Sequence, residues 1–596
     1  MAGFALRNRA HFLAAQRAVV AAARVGNQMI AGATFAVVGE KDHPALTVVR
    51  EIASGLGGLD TGATDSGAGA AQFVFFTDAH AAAKLLTAPA AARTAAATDS
   101  RNGAEDNLSA ALTPIFVPVV RCADEVTALS EALTKQLTAA GGTVVPDAPR
   151  AALTLISLRN GRQIGVATSH NFDFRQADAA GRLAWAKSHM TTTARLVQKL
   201  GDMRGEKILI SLILEPKTAT LALLLRERTG ADVAVFAPAN ECDPAVAAAL
   251  QDREIIVFTP QQTEIEDRAA DIRAAQKAVS WKPHWLIDDG AHLVRLLHLA
   301  HPESLQQLRG VAEETTSGVT PLRGMAAAGA LRVPVVAVND APTKTLFDNR
   351  VGTGESCILT IAYDLDRPLI DSEILVFGFG PVGFGVVRAA RALGAKVTVV
   401  ERDPLRALQA QTDGFHTAHT AQAVATADIV VSATGYRDTI GVAEILAAKS
   451  DAVFAVAGGV TDEINSAAAL ADGAVQQVES PYAGALTLRR VDTNTDVHIL
   501  AFGHGVNYTS GEGNPIEVMD LSFATQAAAL LQLRTELAEA RPAVYELSAQ
   551  AVRDIARVAL NLDAETYSGS YTAPSREALT PWQNHRYREE EGACPR

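Results

Sequence analysis

The sequence is poor in cysteine and has no long apolar run, and each shortage excludes a class of protein. Only four cysteines occur in 596 residues, Cys122, Cys242, Cys357 and Cys594. They lie too far apart for a CxxC zinc motif or a disulfide framework, so we expect no metal site and a reducing, cytoplasmic location. No apolar run approaches the ~18 residues that a membrane-spanning helix needs, and no membrane association is expected.

Positive charge is also in short supply. Lys and Arg number 53 against 66 Asp and Glu, which gives a formal net charge of −13 and argues against nucleic acid as a partner. The rest of the composition, 48% hydrophobic and 20% charged, is typical of a globular chain. At roughly 100–200 residues per domain, the length predicts three or more domains.

The first 165 residues predict a separate α/β domain of unknown role. The chain starts with four arginines and no acid, as a transit peptide does, but the helical pattern continues into an ordinary strand at 34–39. An amphipathic helix that packs or oligomerises is therefore favoured. A helix at 45–56 and apolar strands at 73–76 and 115–120 follow. The Ala-rich, polar segment 88–107 predicts a flexible loop, and no group of catalytic residues occurs here.

From residue 184 onward, short apolar runs alternate with helical stretches. The runs cover residues 208–214, 233–236, 255–258, 285–287 and 333–338. Such alternation predicts a doubly wound, parallel α/β sheet. Open sheets of this kind bind ligands at the carboxyl ends of their strands. Asp288-Asp289 and Asn339-Asp340 follow two of the runs directly, so we expect them at that edge.

A glycine-rich turn predicts a Rossmann-type dinucleotide-binding domain. An apolar run at 373–377 leads into the sequence GFGPVG at 378–383, a helical stretch follows, and a second strand ends at Glu401, about 20 residues later. The glycines let the backbone approach a pyrophosphate at the helix N-terminus. Glu401 would bind the ribose hydroxyls and repel a 2′-phosphate, which favours NAD, while Arg402 and Arg406 soften that preference. A glycine turn that binds nothing is the alternative.

A second group of polar residues lies just before this domain. It comprises residues 313–318, Asn339-Asp340, Lys344 and Asp348. Lys344 and Asp348 are four apart, so on a helix they share a face, where the carboxylate can orient the amine. A surface ion pair would have the same spacing. The nearby carboxylates, the strand-end positions and the nucleotide-binding domain that follows favour a functional site.

These motifs together resemble the S-adenosylhomocysteine hydrolases. The resemblance extends over about residues 173–550 and is most specific at 286–293, 310–356 and 378–410. It implies a small nucleoside substrate, tightly bound NAD, closure between two domains and a homo-oligomer, either a dimer or a tetramer. We assign the extra domain to 1–165, the substrate domain to 166–347 with 515–550 returning to it, the NAD-binding domain to 348–514 and a tail to 551–596. In that tail, Tyr587 resembles a family residue that reaches a neighbouring subunit's NAD.

The resemblance also implies a reaction. Family members oxidise the ribose 3′-hydroxyl, remove the acidified 4′ proton, expel the 5′ substituent, add water and reduce the ketone again. By position, Lys344 and Asp348 would handle the hydroxyl and its proton, and Glu314 and Asp289 would bind the sugar and serve acid/base roles. A lysine whose pKa is lowered by burial toward ~7–8 could act as the base.

The remaining candidates combine the glycine turn with positions carried over from the family. Four residues are assigned to the substrate: Glu215, Lys217, His292 and Asn514. The rest are assigned to NAD: Thr315, Thr316, Ser317, Asn349, Gly378, Gly380, Val382, Gly383, Glu401, Arg406, Thr434, Gly435, Gly458 and Asn507.

The chain departs from the family pattern in its substrate pocket. Three expected histidines are replaced by Ile213, Gly459 and Asn514, a cysteine by Thr353 and a lysine by Phe384. Each lost acid/base group is worth ~10²–10⁴-fold in rate, so ordinary hydrolysis should be severely impaired unless other groups substitute. The polar candidates for that substitution are Glu215, Lys217, His292 and His504, although His292 could equally be a helix cap or a packed residue.

Three functions remain open. The first is elimination of a β substituent from an oxidised nucleoside, as in a nucleoside dehydratase of antibiotic biosynthesis. The second is genuine S-adenosylhomocysteine hydrolysis. The third is a non-catalytic NAD-binding regulator, against which the retained acidic and basic cluster argues because a buried charged cluster is costly to desolvate.

Overall fold

The computed structural model describes residues 9–40, 43–61, 71–87, 113–146, 149–159, 162–261, 268–460 and 462–562. The fold is α/β and contains three mostly parallel sheets with helices packed against them, so the predicted fold class is confirmed. Among the described residues, no helix is both long and apolar enough to cross a membrane. The predicted loop at 88–107 and the tail residue Tyr587 lie outside the described residues.

The first sheet belongs to the N-terminal part of the chain. Its order is β2-β1-β3-β4-β7-β6-β5, parallel except for the antiparallel pairs that β6 makes with β7 and β5. The strands are β1 (Thr34–Val38), β2 (Leu59–Asp60), β3 (Phe73–Phe76), β4 (Ile115–Pro118), β5 (Thr143–Val144), β6 (Leu153–Ser157) and β7 (Gln163–Ala167). The helices are α1 (Arg9–Gly26), α2 (Pro44–Leu56), α3 (Ala79–Thr87) and α4 (Ala123–Ala139).

The second sheet is wholly parallel, with the order β10-β9-β8-β11-β12-β13-β22. Its strands are β8 (Lys207–Ser211), β9 (Asp232–Phe236), β10 (Ile256–Phe258), β11 (Trp285–Asp288), β12 (Gly310–Glu313), β13 (Val335–Ala337) and β22 (Val544–Tyr545). The helices are α5 (Ala179–His189), α6 (Thr191–Gln198), α7 (Pro216–Thr229), α8 (Pro244–Gln251), α9 (Arg268–Ser280), α10 (His292–Ala300), α11 (Pro302–Leu305) and α12 (Thr316–Ala327). Strand order reverses between β8 and β11, which is where doubly wound sheets bind ligands.

The third sheet contains the glycine turn, and its order is β16-β15-β14-β17-β18-β21-β20-β19. The strands are β14 (Glu373–Phe377), β15 (Lys396–Val400), β16 (His416–Thr417), β17 (Ile429–Ser432), β18 (Ala452–Val456), β19 (Val475–Val478), β20 (Ala485–Arg490) and β21 (Asp496–Leu500). The helices are α13 (Pro342–Lys344), α14 (Thr353–Leu365), α15 (Pro381–Ala392), α16 (Pro404–Thr412), α17 (Thr420–Val424), α18 (Val442–Ala447) and α19 (Ser466–Ala471).

The chain crosses between the second and third sheets twice. Helix α13, a π-helical segment (Thr345–Gly352) and α14 lead from the second sheet to the third. After α20 (Val506–Thr509), helix α21 (Ile516–Thr535) leads back and packs on α6 and β12, and α22 (Ala549–Ala559) follows β22. Residues from both crossings therefore meet at the carboxyl ends of the second sheet's strands.

Candidate active site

A buried ion pair lies at the first crossing. The Lys344 ammonium is 2.7 Å from Asp348 Oδ2 and donates a hydrogen bond to Asn349 Oδ1 at 2.7 Å. The π-helical segment widens the turn, so residues four and five positions later both reach the same ammonium. Only 3% of Lys344 and 5% of Asp348 is exposed. This pair is therefore interior and is not a surface ion pair.

Glu314 joins this pair from the end of β12. Its Oε1 lies 3.7 Å from Lys344 Nζ, and its carboxylate accepts hydrogen bonds from Ser522 and Gln526 of α21. Those two side chains are fully buried and are four residues apart on one face of the helix. Helix α21 therefore positions Glu314 against Lys344.

Electrostatics in this cluster differ from the sequence-based expectation. Burial by itself lowers the pKa of Lys344, but the carboxylates of Asp348 and Glu314 raise it above the ordinary lysine value. The predicted lowering toward neutrality is therefore wrong, because two anions at close range outweigh desolvation. Burial raises the pKa of Glu314 despite the neighbouring ammonium. Lys344 is thus a cation suited to hold an oxygen, and the Glu314 carboxylate takes up a proton more easily than an exposed glutamate does.

The carboxylates at the end of β11 and β12 have two different roles. Asp288 is fully buried and accepts a hydrogen bond from Val294 N at 2.9 Å, and Glu313 accepts from Gly290 N at 3.0 Å. Both therefore shape the loop after β11. Burial raises the pKa of the next residue, Asp289, while a hydrogen bond from Thr315 and the charges of His292 and Lys344 lower it. Asp289 is thus in electrostatic reach of Lys344.

His292 is the first residue of α10, and Ala291 occupies the N-cap position before it. Its side chain is exposed, with Nδ1 3.4 Å from Arg295 Nη2. Although the residue is exposed, partial desolvation of the imidazole lowers the pKa of His292, and the charge of the Asp289 carboxylate opposes that shift. The His292 side chain makes no cap hydrogen bond at the start of α10.

Asn514 lies at the centre of the cluster. Its Nδ2 donates to Asp348 Oδ1 at 2.6 Å and to Thr353 Oγ1 at 2.9 Å, and its Oδ1 accepts from Asn507 Nδ2 at 2.8 Å. We expected this residue to contact the substrate. The structure shows it holding one oxygen of the Asp348 carboxylate, while the Lys344 ammonium pairs with the other oxygen, Oδ2.

The other two expected substrate residues form a buried charge network. Lys217 is 1% exposed, with Nζ 2.7 Å from Glu215 Oε2 and donating to the Glu512 carbonyl oxygen at 2.8 Å. Glu215 also caps α7 by accepting from its first N–H groups. The buried Glu512 carboxylate pairs with Arg150 and lies 3.7 Å from Arg182. Sequence reasoning missed this network, because its members come from four separate segments with no shared motif.

The glycine turn has the geometry of a dinucleotide site. Gly378 has φ +92°, and a Cβ on Gly383 would lie 2.1 Å from Gly378 O, so a side chain at Gly383 would push the helix away from the turn. Gly380 caps α15, and a Cβ there would meet only Arg406 Nη1 at 3.5 Å. Glu401 accepts from Phe379 N at 2.7 Å, which places its carboxylate beside the turn.

The rest of the predicted NAD-binding residues lie around this turn. A Cβ on Gly435 or Gly458 would meet no atom within 4 Å, so both glycines border open space at the carboxyl ends of β17 and β18. Thr434 Oγ1 donates to Glu463 at 3.0 Å. Asn507 Oδ1 is buried and has no hydrogen-bond partner among the described residues. Val382 is half-buried in the first turn of α15. This arrangement fits a dinucleotide with its pyrophosphate at Gly380.

Hydrogen bonds connect the residues that follow β12 to the ion pair. Thr316 Oγ1 donates to Asn339 Oδ1 at 3.1 Å, and Asn349 Nδ2 donates to the same oxygen at 2.9 Å. Thr315 and Ser317 hydroxyls are 2.9 Å apart. Asn349 in turn accepts from Lys344. The threonines and Asn349 that sequence assigned to NAD are therefore contiguous with the Lys344 cluster.

Comparisons with known proteins agree with this geometry. The family model for the S-adenosyl-L-homocysteine hydrolase NAD-binding domain matches residues 349–513. Adenosylhomocysteinase of Thermotoga maritima is 35% identical over 408 residues, which cover 67% of this chain and 98% of that protein. S-inosyl-L-homocysteine hydrolase of Methanopyrus kandleri is 34% identical over 412 residues, covering 67% of this chain and 94% of that protein. This chain therefore belongs to the S-adenosyl-L-homocysteine hydrolase family and is an NAD-dependent enzyme of the adenosylhomocysteinase type with an additional N-terminal region.

Proposed function

We propose that the enzyme oxidises a sugar hydroxyl of a nucleoside, removes the proton from the adjacent carbon and eliminates the substituent β to the new ketone. The observation that carries this proposal is the buried cluster of Lys344, Asp348, Glu314 and Asn349. Two of its members lie on the π-helical segment that packs on α15, the helix that begins at the dinucleotide turn. Bound NAD would supply the hydride acceptor. The protein's own residues must then hold the hydroxyl, accept its proton and the proton of the adjacent carbon, and exclude water.

The hydroxyl step falls to Lys344 and Asp348. The ammonium can donate a hydrogen bond to the sugar oxygen, and the ionised Asp348 carboxylate can accept the hydroxyl proton as the carbon-bound hydrogen leaves as hydride. Asn514 and Lys344 hold the two Asp348 oxygens, at 2.6 and 2.7 Å. Both oxygens of the carboxylate are therefore fixed by hydrogen-bond donors in the orientation that this step needs.

The elimination step uses the acidity that the ketone creates. A carboxylate takes the proton of the neighbouring carbon, the C–H electron pair forms the carbon–carbon double bond, and the leaving group departs with its own electrons. Asp289 is proposed for this proton, since it follows β11 at the edge of the same site and feels the charge of Lys344. Negative charge that develops on the ketone oxygen would be stabilised by the Lys344 ammonium. Return of the hydride to the ketone carbon and of the proton from Asp348 to its oxygen regenerates the hydroxyl, so the overall reaction is redox-neutral.

The residues that stand in place of the three family histidines favour a reaction that ends at the alkene, with no addition of water. Ile213 and Gly459 have no titratable group, and the Asn514 amide is occupied by Asp348 and Thr353. None of them can give and take a proton as histidine does. With a hydroxyl as the leaving group, the net reaction is loss of water from the nucleoside. The substrate class is therefore a nucleoside with a hydroxyl β to the oxidised carbon.

A second function, hydrolysis of an S-nucleosyl-homocysteine, is favoured by the similarity over nearly the whole length of the relatives. Two of them are named as an adenosylhomocysteinase and an S-inosyl-L-homocysteine hydrolase. In that reaction too, the Lys344 cluster would take part in oxidising the sugar hydroxyl and in reducing the ketone again. His292 and Asp289 would then have to activate water, since the histidine positions are altered.

The test mixes the holoprotein with adenosine, a hexulose nucleoside and S-adenosylhomocysteine, and follows the near-ultraviolet absorbance of reduced cofactor and the products by mass spectrometry. A nucleoside that reduces the cofactor and loses water supports the proposal. Release of homocysteine at the rates of a hydrolase would overturn the dehydratase proposal and establish the second function. Cofactor reduction by none of the three compounds would count against both.

A matched pair of variants controls this test. Lys344→Met should abolish cofactor reduction by the substrate. Lys187→Met is the control. Lys187 lies on the surface, where it pairs with Glu227 at 2.7 Å and both side chains are 45% exposed. This variant should reduce the cofactor as the wild type does. Full activity of Lys344→Met would refute a role for the cluster in either reaction.

A further inference from the structure

The N-terminal sheet repeats the sheet that contains the glycine turn. The order β2-β1-β3-β4-β7-β6-β5 matches β15-β14-β17-β18-β21-β20-β19 position by position, including the two antiparallel pairs at one edge. The third sheet has one extra edge strand, β16. A long helix precedes the first strand in both units, α1 before β1 and α14 before β14.

The match extends to the backbone of individual residues. After α1, Asn27 has φ +47° and Gly32 has φ +78°; after α14, Asp366 has φ +43° and Asp371 has φ +63°. The spacing between the two left-handed residues is the same in both units. Gly32 N donates to Gly57 O at 2.9 Å, and Asp371 N donates to Gly394 O at 3.1 Å. Left-handed non-glycine residues are uncommon, so their repetition in register indicates a duplicated unit.

The two units are joined by reciprocal hydrogen bonds between matching residues. Gln16 of α1 and Glu355 of α14 occupy equivalent positions, as do Ile30 and Leu369 in the loops that follow. Gln16 Oε1 accepts from Leu369 N at 2.9 Å, and Glu355 Oε1 accepts from Ile30 N at 2.6 Å. Each helix therefore binds the loop of the other unit, which is the pattern of an isologous two-fold interface.

The ends of α2 and α15 mark the pseudo-two-fold axis. Gly55 and Ala392 are equivalent residues, each two positions before the left-handed glycine that ends its helix, Gly57 or Gly394. A Cβ on Gly55 would lie 3.0 Å from the Ala392 Cβ. A residue that contacts its own equivalent lies at the axis of a two-fold arrangement. The buried face of α14 and α15 is thus occupied by the matching face of α1 and α2.

The N-terminal copy lacks the second and third glycines of the phosphate-binding sequence, since EKDH stands between Gly39 and Pro44 and Leu46 follows. Helices α2 and α15 both begin with a proline, and counted from it Leu46 stands in the place of Gly383. A side chain at Gly383 would collide with Gly378 of the turn. The residue equivalent to Gly378 is Gly39, and Leu46 packs against it: a Cβ on Gly39 would lie 2.9 Å from Leu46 Cδ1. The Leu46 side chain therefore stands between α2 and the turn glycine, so α2 lacks the close helix–turn packing that the third glycine allows at a pyrophosphate site.

We propose that residues 9–167 are a second, nucleotide-free copy of the NAD-binding unit that serves as a built-in partner for it. This copy covers the α14 and α15 face as the second subunit of a two-fold dimer would. Two consequences follow. That face is closed to another chain, and the protein holds one NAD per chain although it contains two units of the same topology.

Engineered cysteines test the first consequence in the full-length holoprotein, in a background with Cys122→Ser and Cys594→Ser. Under oxidation, Gly55→Cys with Ala392→Cys should form a disulfide within one chain, and Ala392→Cys alone should keep a free thiol. A dimer cross-linked by Ala392→Cys alone would show that this face pairs with a second chain, and would overturn the proposal. Because the two Cβ positions are 3.0 Å apart, closer than the ~3.5–4.5 Å of a disulfide, the double variant is also treated with a short bifunctional thiol cross-linker. A folded double variant that neither oxidation nor the cross-linker closes within one chain would show that the copy does not stay docked, which would overturn the proposal as well.

The second consequence needs no variant, so it stands even where the cysteine pair disturbs folding. NAD released from the denatured wild-type holoprotein should amount to one molecule per chain, as should NAD taken up again by stripped protein. Two molecules per chain would refute a nucleotide-free copy. The result does not depend on which nucleoside the enzyme turns over.

Discussion

Glu355 gives the interface between the two NAD-type units a pH dependence. Its side chain is 3% exposed and accepts from Ile30 N at 2.6 Å and Ala31 N at 3.1 Å. Burial raises its pKa from 4.5 to about 7, although both hydrogen bonds oppose the shift. A carboxyl group whose folded pKa is raised stabilises the fold below its unfolded pKa, and this contribution is lost as the pH rises through the folded value.

The size of this effect follows from the shift. At about 1.4 kcal/mol per pKa unit, the change from 4.5 to about 7 is worth roughly 3 kcal/mol in total. Most of it, roughly 2–3 kcal/mol, should be lost from the free energy of unfolding between about pH 5 and about pH 8.5. Other buried carboxyl groups contribute too, Glu517 with a pKa raised by burial to about 7 among them, so a variant is needed to isolate Glu355.

Glu355→Gln provides that comparison, since glutamine is what α1 has at the equivalent position. Urea unfolding of wild type and Glu355→Gln at several pH values gives the difference in unfolding free energy. This difference should change by roughly 2–3 kcal/mol in favour of the variant between about pH 5 and about pH 8.5. Hydrogen exchange at Ile30 and Ala31 should show the same trend. Parallel pH profiles for the two proteins would refute a titrating Glu355 at this interface.

Three further predictions concern the site. Asn514→Ala should slow sugar oxidation by about 10–100-fold, as expected for a lost hydrogen bond to a charged group. Asn514→Asp should be slower still, because it replaces the donor with a second carboxylate that repels Asp348. Equal rates for both variants in stopped-flow cofactor reduction would refute a role in holding Asp348. Glu401→Ser should raise the affinity for NADP relative to NAD, and an unchanged ratio of dissociation constants would place the ribose elsewhere. Arg150→Met should lower the free energy of unfolding by about 3 kcal/mol by leaving the buried Glu512 with fewer partners, while thermal unfolding of Lys187→Met should match wild type.

Local patterns in the sequence were sufficient for much of the fold. The glycine turn between β14 and α15, the strand that ends before Glu401 and the apolar strands of the second sheet are each defined by neighbouring residues. The contact between Lys344 and Asp348 also follows from local spacing. The roles of Glu401 and the other NAD-binding residues stay predictions, because they concern a ligand and not the fold.

Tertiary structure decided what depends on residues far apart in the chain. The pKa of Lys344 rises because Glu314 and Asp348 lie beside it after folding, whereas the lysine by itself suggested only the desolvation that lowers it. Asn514 reaches Asp348 because the second crossing returns to the first. The sequence did not reveal that the N-terminal unit repeats the NAD-binding unit, because equivalent residues differ in type, as Gln16 and Glu355 do, or Leu46 and Gly383. Sheet order and backbone hydrogen bonds persist under such changes, since many side chains satisfy the same apolar pattern, so the duplication is preserved in the topology and not in the residues.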